Sequence, residues 1–216
     1  MTATEKLNEL FNRWQEEFPD YKGKFNKDGI NNEEAFNSQK LKILFIAKEP
    51  NDPEQNEDDY RDWWANGVKY LFSHRICEWA FGLLNDFPPI ENLSYNNEER
   101  VKIMSAIAFM NLKKIGGNAS ADHELIRKVI SREQHFILEE ISIIAPHIII
   151  GGIGDSEFWN LLFPGIEFVN SGFDIKVAKY DSYKIIDYYH PSYKVPRSMS
   201  YCLLGCVFNS EMFLKL

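Results

Sequence analysis

The sequence predicts an α/β fold in three α/β/α layers, with a central, mainly four-stranded parallel sheet between the helices. Four mainly apolar runs predict strands, and the first of them lacks the alternation of a half-exposed strand, which is typical of a strand that is covered on both faces. Segments with helical periodicity separate these runs along the chain. Each run also ends in a proline, a glycine pair or charged residues. The four runs begin at Leu41, Ile107, His147 and Lys184.

The first strand shows the pattern most clearly. An amphipathic helix over residues 5–18 and a polar loop over residues 20–40 precede it. The strand runs from Leu41 to Glu49 and stops there, because Pro50 cannot donate a ladder hydrogen bond and restricts the residue before it. Glu49 is therefore presented at the carboxyl end of the strand.

Apolar residues at helical spacing predict the connecting segments. The predicted helices cover residues 60–84, 97–106, 122–145, 155–163 and 199–214. A break is expected near Ser131, where Ser-Arg-Glu-Gln resembles a capping box. Residues 167–180 predict a hairpin-like or edge region before the fourth strand.

Length and composition indicate one soluble domain over residues 1–216. A chain of 216 residues can bury a sizeable core, and 44% hydrophobic residues are typical of a folded protein. The amino terminus lacks the pattern of a secretory signal, and the apolar run at residues 141–153 is interrupted and short. We therefore expect a cytoplasmic protein with no membrane partner. The net charge of -8 argues against broad nucleic-acid affinity, although a local basic patch stays open.

The three cysteines predict neither a disulfide nor a metal site. An intracellular setting disfavours a disulfide among Cys77, Cys202 and Cys206. Cys202 and Cys206 lie one helical turn apart, but no second ligand pair has matching spacing. We interpret both as buried core residues, and we expect no metal and no cofactor.

The carboxyl ends of the four strands predict a site. In open α/β sheets, ligands bind in the crevice beyond these strand ends. The sequence places Glu49, Asn111, the loop at residues 151–155 and His190 there. The glycines of that loop are interpreted as a tight turn, because the loop lacks the lysine and hydroxyl residue of a P-loop.

These polar residues resemble those of the uracil-DNA glycosylase superfamily in their order and strand context. Glu49 and Pro50 follow the first strand, Asn111 lies in the second, the third ends in glycine, and His190-Pro-Ser follows the fourth. The resemblance covers residues 41–197. It implies a DNA glycosylase that excises uracil or another deaminated base by hydrolysing the N-glycosidic bond.

The two end motifs match the family's motifs in part. Ala-Lys-Glu-Pro-Asn at residues 47–51 aligns with GQDPY, and His-Pro-Ser-Tyr-Lys at residues 190–194 aligns with HPSPL. Lys48 stands where the motif has glutamine, and Asn51 stands where it has the tyrosine that excludes thymine. Glu49 replaces the aspartate and shifts its carboxylate by about one methylene. Base selectivity is therefore open. The cluster-binding branches use four cysteines, so no iron–sulfur cluster is expected.

The resemblance also implies a role for each candidate residue. Glu49 would position water and stabilise the sugar cation, and His190 would stabilise the base anion. The candidate base-binding residues are Asn111, Lys48, Asn51, Tyr60 and Trp63. The candidate residues for DNA phosphate are Ser192, Lys194 and Arg197. The expected partner is DNA containing a damaged base.

Plainer interpretations of the same residues stay open. Glu49 could cap a turn or pair with Lys48, and the Asn111 amide could be satisfied structurally. Of the adjacent Trp63 and Trp64, at most one can reach a pocket, because neighbouring residues on a helix point in different directions. The acidic net charge favours an alternative function, a non-catalytic or differently catalytic module that binds a free nucleobase or nucleotide.

Overall fold

A seven-stranded mixed sheet is the centre of the α/β fold in the computed structural model, which describes residues 1–216. The strands are β1 (Asn26–Lys27), β2 (Gly29–Ile30), β3 (Ile43–Ala47), β4 (Asp58–Asp59), β5 (Ala108–Asn111), β6 (Ile148–Gly151), β7 (Val169–Asn170), β8 (Lys176–Tyr180) and β9 (Tyr183–Asp187). The helices are α1 (Ala3–Glu17), α2 (Glu33–Asn37), α3 (Tyr60–Ala65), α4 (Leu71–Leu84), α5 (Asn97–Ser105), α6 (His123–Ile144), α7 (Ser156–Leu162), α8 (Arg197–Phe208) and α9 (Glu211–Lys215).

The sheet has the strand order β2-β5-β3-β6-β9-β8-β7, and β1 and β4 form a separate pair. The neighbours β5, β3, β6 and β9 run parallel, in a register that places Ala47 beside Asn111 and Gly151 beside Asp187. Antiparallel strands extend both edges, with β2 on one side and β8 and β7 on the other. The hairpin-like or edge region predicted at residues 167–180 corresponds to β7 and β8. The sheet is larger and more mixed than the four predicted strands, because antiparallel strands are added on both sides.

Both faces of β3 are buried, which explains its unbroken apolar sequence. None of its five residues is more than 3% exposed. Leu44 and Ile46 belong to an apolar cluster with side chains of α1 and α6. Ile43, Phe45 and Ala47 belong to a second cluster with side chains of α4 and α8. Alternate residues of one strand thus pack into two separate cores.

Two predicted helices are divided in the structure. The region at residues 60–84 forms α3 and α4, because Gly67 adopts a φ of 110°, in the left-handed region that favours glycine. The last predicted helix is divided into α8 and α9 at Ser210, whose side chain accepts a hydrogen bond from the Phe213 main chain and caps α9. No helix is long and apolar enough to cross a membrane.

The predicted break near Ser131 is wrong, and α6 continues through it. Asp122 caps this helix by accepting hydrogen bonds from the main-chain N–H groups of Glu124 and Leu125. The Gln134 side chain, which would close the proposed capping box, instead donates to the carbonyl of Leu161. Gln134 therefore makes a tertiary contact and does not cap a helix.

Two other expectations are also corrected. The segment at residues 20–40 is not only loop, because it contains β1, β2 and α2. Cys77 is buried, but Cys202 and Cys206 are exposed on α8. The predicted core position of those two cysteines was wrong, because α8 turns its buried residues Leu204 and Val207 to the sheet side.

A buried ion cluster lies beneath the carboxyl end of β5. The Lys114 ammonium contacts Asp28, at 2.5 Å, and Glu140, at 2.7 Å, and all three side chains are fully buried. Burial holds the pKa of Glu140 well above its ordinary range and favours its neutral form. The other oxygen of Asp28 accepts a hydrogen bond from the main-chain N–H of Asn111, at 2.7 Å. The cluster therefore fixes the end of the strand that carries Asn111.

We predict that Lys114→Met lowers the free energy of unfolding by about 3–5 kcal/mol, because it leaves two buried carboxyl groups without their cation. Urea denaturation measures the change. The matched control is Lys128→Met on α6, whose exposed side chain forms an ion pair with Glu124 and whose loss should change stability far less. Equal effects of the two substitutions would contradict a stabilising role of the cluster.

Candidate functional site

A cavity of about 850 Å³ opens at the carboxyl ends of the parallel strands. It brings together three residues from separate strand ends, namely Glu49 after β3, Asn111 at the end of β5 and His190 after β9. Five further candidate residues from the sequence also line it, namely Lys48, Asn51, Tyr60, Trp63 and Ser192. The strand-end position predicted from the sequence therefore corresponds to one shared cavity.

Lys113 and the loop after β5 hold the Glu49 carboxylate. The Lys113 ammonium forms an ion pair with Glu49 Oε2, and the two side chains are only 8% and 6% exposed. Gly117 packs directly against the same carboxylate, so that any side chain at position 117 would collide with it. Oε1 accepts no hydrogen bond from the protein. Glu49 therefore neither caps a turn nor pairs with Lys48, and Oε1 stays available to a ligand or to water.

Asn111 carries a buried side-chain amide without a protein partner. The residue is 1% exposed, and its Nδ2 donates no hydrogen bond. Its main chain is held by Asp28 and by the ladder between β3 and β5. An unpartnered buried amide group costs about 1–3 kcal/mol. Because this amide lines the cavity, a ligand with a complementary polar edge would satisfy it.

The His190 ring is neutral and has a defined tautomer. Burial, and then the charge of Lys48, lower its pKa to about 4. Nδ1 accepts a hydrogen bond from the main-chain N–H of Ser192, at 3.2 Å. A neutral imidazole that accepts at Nδ1 carries its proton on Nε2. His190 therefore offers the cavity one N–H donor and no positive charge.

Aromatic side chains form one wall of the cavity. Tyr60 stacks on Phe109, with ring centroids 5.8 Å apart, and Trp63 stacks on Tyr70, at 6.0 Å. Trp64 is 1% exposed and packs in the second core cluster, so that only one of the two adjacent tryptophans reaches the cavity, as the sequence predicted. Such a wall offers π-faces to a planar ligand.

Only one of the three candidate phosphate-binding residues lies at the cavity. Ser192 lines it, whereas Lys194 is exposed on the loop beyond it and Arg197 points elsewhere. The Arg197 guanidinium forms an ion pair with Glu78, at 2.8 Å, and donates to the Tyr95 hydroxyl, at 2.6 Å. Through these two contacts Arg197 anchors the loop at residues 190–197.

Several residues of the site were not found from the sequence. No role at the site was predicted for Lys113, the ion-pair partner of Glu49, or for His123. His123 in fact lines the cavity and contacts Asp155, at 3.2 Å. The loop residues Asn118, Ala119, Ser120 and Ala121 line it too. The position of Lys113, two residues beyond Asn111 in an extended segment, was the available signal.

We predict that the His190 ring stays neutral, with its proton on Nε2, between about pH 5.5 and 7.5, because its pKa lies well below the ordinary value of 6.5. Two-bond proton–nitrogen NMR correlations measure the tautomer, and the spectrum of His190→Gln assigns the signal. The unfolded chain takes up this proton near 6.5, so burial of His190 lowers stability as pH falls from 6.5 to 4. A titration midpoint above pH 6 would contradict the buried neutral ring.

Comparisons with known proteins do not assign this cavity to a family. A scan against models of protein families and a search of curated proteins each returned no match to the chain. The functional conclusion therefore rests on the residues of the cavity itself.

Proposed function

We propose that this protein is a DNA glycosylase that excises uracil or another deaminated base by hydrolysing its N-glycosidic bond. The observation that carries the proposal is the unpartnered Asn111 amide in one cavity with Glu49 and His190. An amide pairs naturally with the edge of a base such as uracil, because both present a donor next to an acceptor. A ligand of this kind would satisfy Asn111 and place its glycosidic bond within reach of the other two residues.

His190 supports the departure of the base. Cleavage leaves negative charge on the base, and a preorganised donor at a base oxygen stabilises that charge as it develops. The Nε2–H of a neutral imidazole is such a donor, and the Ser192 N–H holds the ring in the required tautomer. Because the pKa of His190 is low, the ring stays neutral and keeps this tautomer at neutral pH.

Glu49 supports the sugar side of the reaction. Loss of the base leaves an oxocarbenium-like sugar, which an ionised carboxylate stabilises and which water must attack. Lys113 forms an ion pair with the carboxylate and fixes Oε2, while Oε1 is left to orient the water. The carboxylate would thus act as a positioned anion.

The aromatic wall and the mouth of the cavity support a base drawn out of a DNA strand. Tyr60 and Trp63 offer stacking surfaces for the extruded base. Lys48 and Asn51 would contact the base where selectivity is set, and Ser192 and the exposed Lys194 would contact phosphates. The proposal includes membership of the uracil-DNA glycosylase superfamily, with a three-layer fold around the four parallel strands.

A second candidate function is binding of a free nucleobase or nucleotide without DNA. The net charge of -8 favours it, because docking on DNA needs positive charge at the phosphates. The ion pair that Arg197 makes with Glu78 also removes one candidate phosphate ligand. Calorimetric titration with free uracil tests this function, and binding without base excision would support it over the glycosylase.

We predict that the wild-type protein forms abasic sites in single- or double-stranded oligonucleotides that contain uracil, hypoxanthine or xanthine. Glu49→Gln and His190→Gln should each lower the rate by about 10²–10⁴-fold, because each removes charge stabilisation or water positioning. Alkaline cleavage of the product strand measures the abasic sites.

The matched control for the carboxylate is Glu54→Gln, an exposed acidic residue in the turn after β3. It should retain the wild-type rate, and circular dichroism should show that all variants are folded. Excision by the wild type that does not exceed the rate of the Glu49→Gln, His190→Gln double variant would refute the proposed function for these bases.

We also predict that Gly117→Ala lowers the excision rate by about 10²-fold without removing any reacting group. The added methyl group collides with the Glu49 carboxylate and displaces it. The φ of Gly117 is not in the left-handed region, so the effect comes from crowding and not from backbone strain. Gly165→Ala, at a glycine with a φ of 80° and open space, introduces backbone strain without crowding and so controls for general destabilisation of the fold. An unchanged rate for Gly117→Ala would show that the position of Glu49 does not matter.

A further inference from the structure

Lys48 carries an ammonium group without an ion-pair partner in the wall of the cavity. Its side chain is partly buried, lines the cavity with Glu49 and His190, and forms neither an ion pair nor a side-chain hydrogen bond. Lysine ammonium groups in protein interiors are normally paired, because burial without a partner disfavours the charge. An unpaired lysine inside a polar cavity therefore calls for a chemical explanation.

Lys113 shows the contrast within the same site. Lys113 is paired with Glu49 and serves as its counter-ion. Lys48 is left without such a partner, and burial lowers its pKa, although Glu49 and Asp155 act in the opposite direction. The two lysines of the site are thus held in different environments. Lys113 stabilises the charge of Glu49, whereas the unpaired Lys48 is the one that could act as a nucleophile.

We propose that Lys48 is a carbonyl-reactive amine that forms an imine with the ring-opened aldehyde of an abasic deoxyribose. The identity of this aldehyde rests on the proposed function, because excision of a base leaves an abasic sugar in the cavity. Lys48 and Glu49, the residue placed at the sugar, line the same cavity, so the amine could approach the C1′ carbon. The imine would hold the product sugar in the site.

The reaction needs no partner beyond the amine and the aldehyde. The Lys48 ammonium first releases one proton to solvent. The lone pair of the neutral nitrogen then forms a bond to C1′, and the aldehyde oxygen takes one of the two remaining nitrogen protons to give a carbinolamine. Loss of that oxygen as water, with the two protons that the nitrogen brought, forms the C=N bond. No oxidant or reductant takes part, and hydrolysis by one water molecule restores both reactants.

A purely electrostatic use of Lys48 is the competing explanation. Its positive charge could hold a phosphate or the departing base anion without any covalent bond. Lys48→Arg distinguishes the two uses, because arginine keeps the charge but stays protonated and cannot form an imine at neutral pH.

The test incubates the full chain with an oligonucleotide that carries a preformed abasic site, and adds sodium borohydride to reduce any imine to a stable amine. We expect a covalent protein–DNA adduct, with peptide mass spectrometry placing the sugar on Lys48. Lys48→Arg should lower the yield of this adduct at least about tenfold. Lys69→Arg, at an exposed lysine beside the cavity-lining Tyr70, is the matched control and should retain it.

The outcomes separate this inference from the proposed function. An adduct at Lys48 in a protein that excises none of the tested bases would support the imine and count against the glycosylase. Excision by the wild type without any adduct above the Lys48→Arg level would overturn the imine and leave the glycosylase standing. An adduct spread over exposed lysines or on the amino terminus would also overturn the assignment to Lys48.

Discussion

The parallel pairing of β5, β3, β6 and β9 is the constraint on which the candidate site depends. Their registers place Ala47 beside Asn111 and Gly151 beside Asp187, so that all four strands end at the same edge of the sheet. Both faces of β3 are buried, and a slip of one residue would exchange its two apolar faces. The register is therefore set by the two cores. The polar residues that follow the strands meet over one cavity as a consequence.

Buried charges then fix the polar groups at that edge. Asp28, held by Lys114, accepts the main-chain N–H of Asn111, and Lys113 holds the carboxylate of Glu49. Removing such charges from water is costly, and apolar residues of similar volume would often be as stable. These buried charges matter here because each one orients a polar group that apolar packing cannot orient. The site is thus assembled by ion pairs on a frame that hydrophobic burial holds in register.

The sequence predicts those features of the fold and site that depend on local residue patterns. Four mainly apolar runs located the parallel strands, and the residues at their ends, Glu49 and His190, could be placed at one edge before any contact was known. The role of Lys113 could not be predicted, because its ion pair joins the ends of two strands and depends on their register. Strands of two residues, such as β2 and β7, carry no periodicity. At Ser131 the Gln134 side chain bonds to a carbonyl of another helix and does not close a capping box, a contact that the local sequence does not show.

The central claim is that Glu49, Asn111 and His190 form one site for the edge of a nucleobase. A crystal structure of the protein with bound uracil tests it most directly. The account predicts the base against the aromatic wall, with the Asn111 amide and the Nε2–H of His190 within about 3 Å of its polar atoms. Uracil bound elsewhere on the protein, or an Asn111 amide that bonds to protein groups while the base lies out of its reach, would contradict the account.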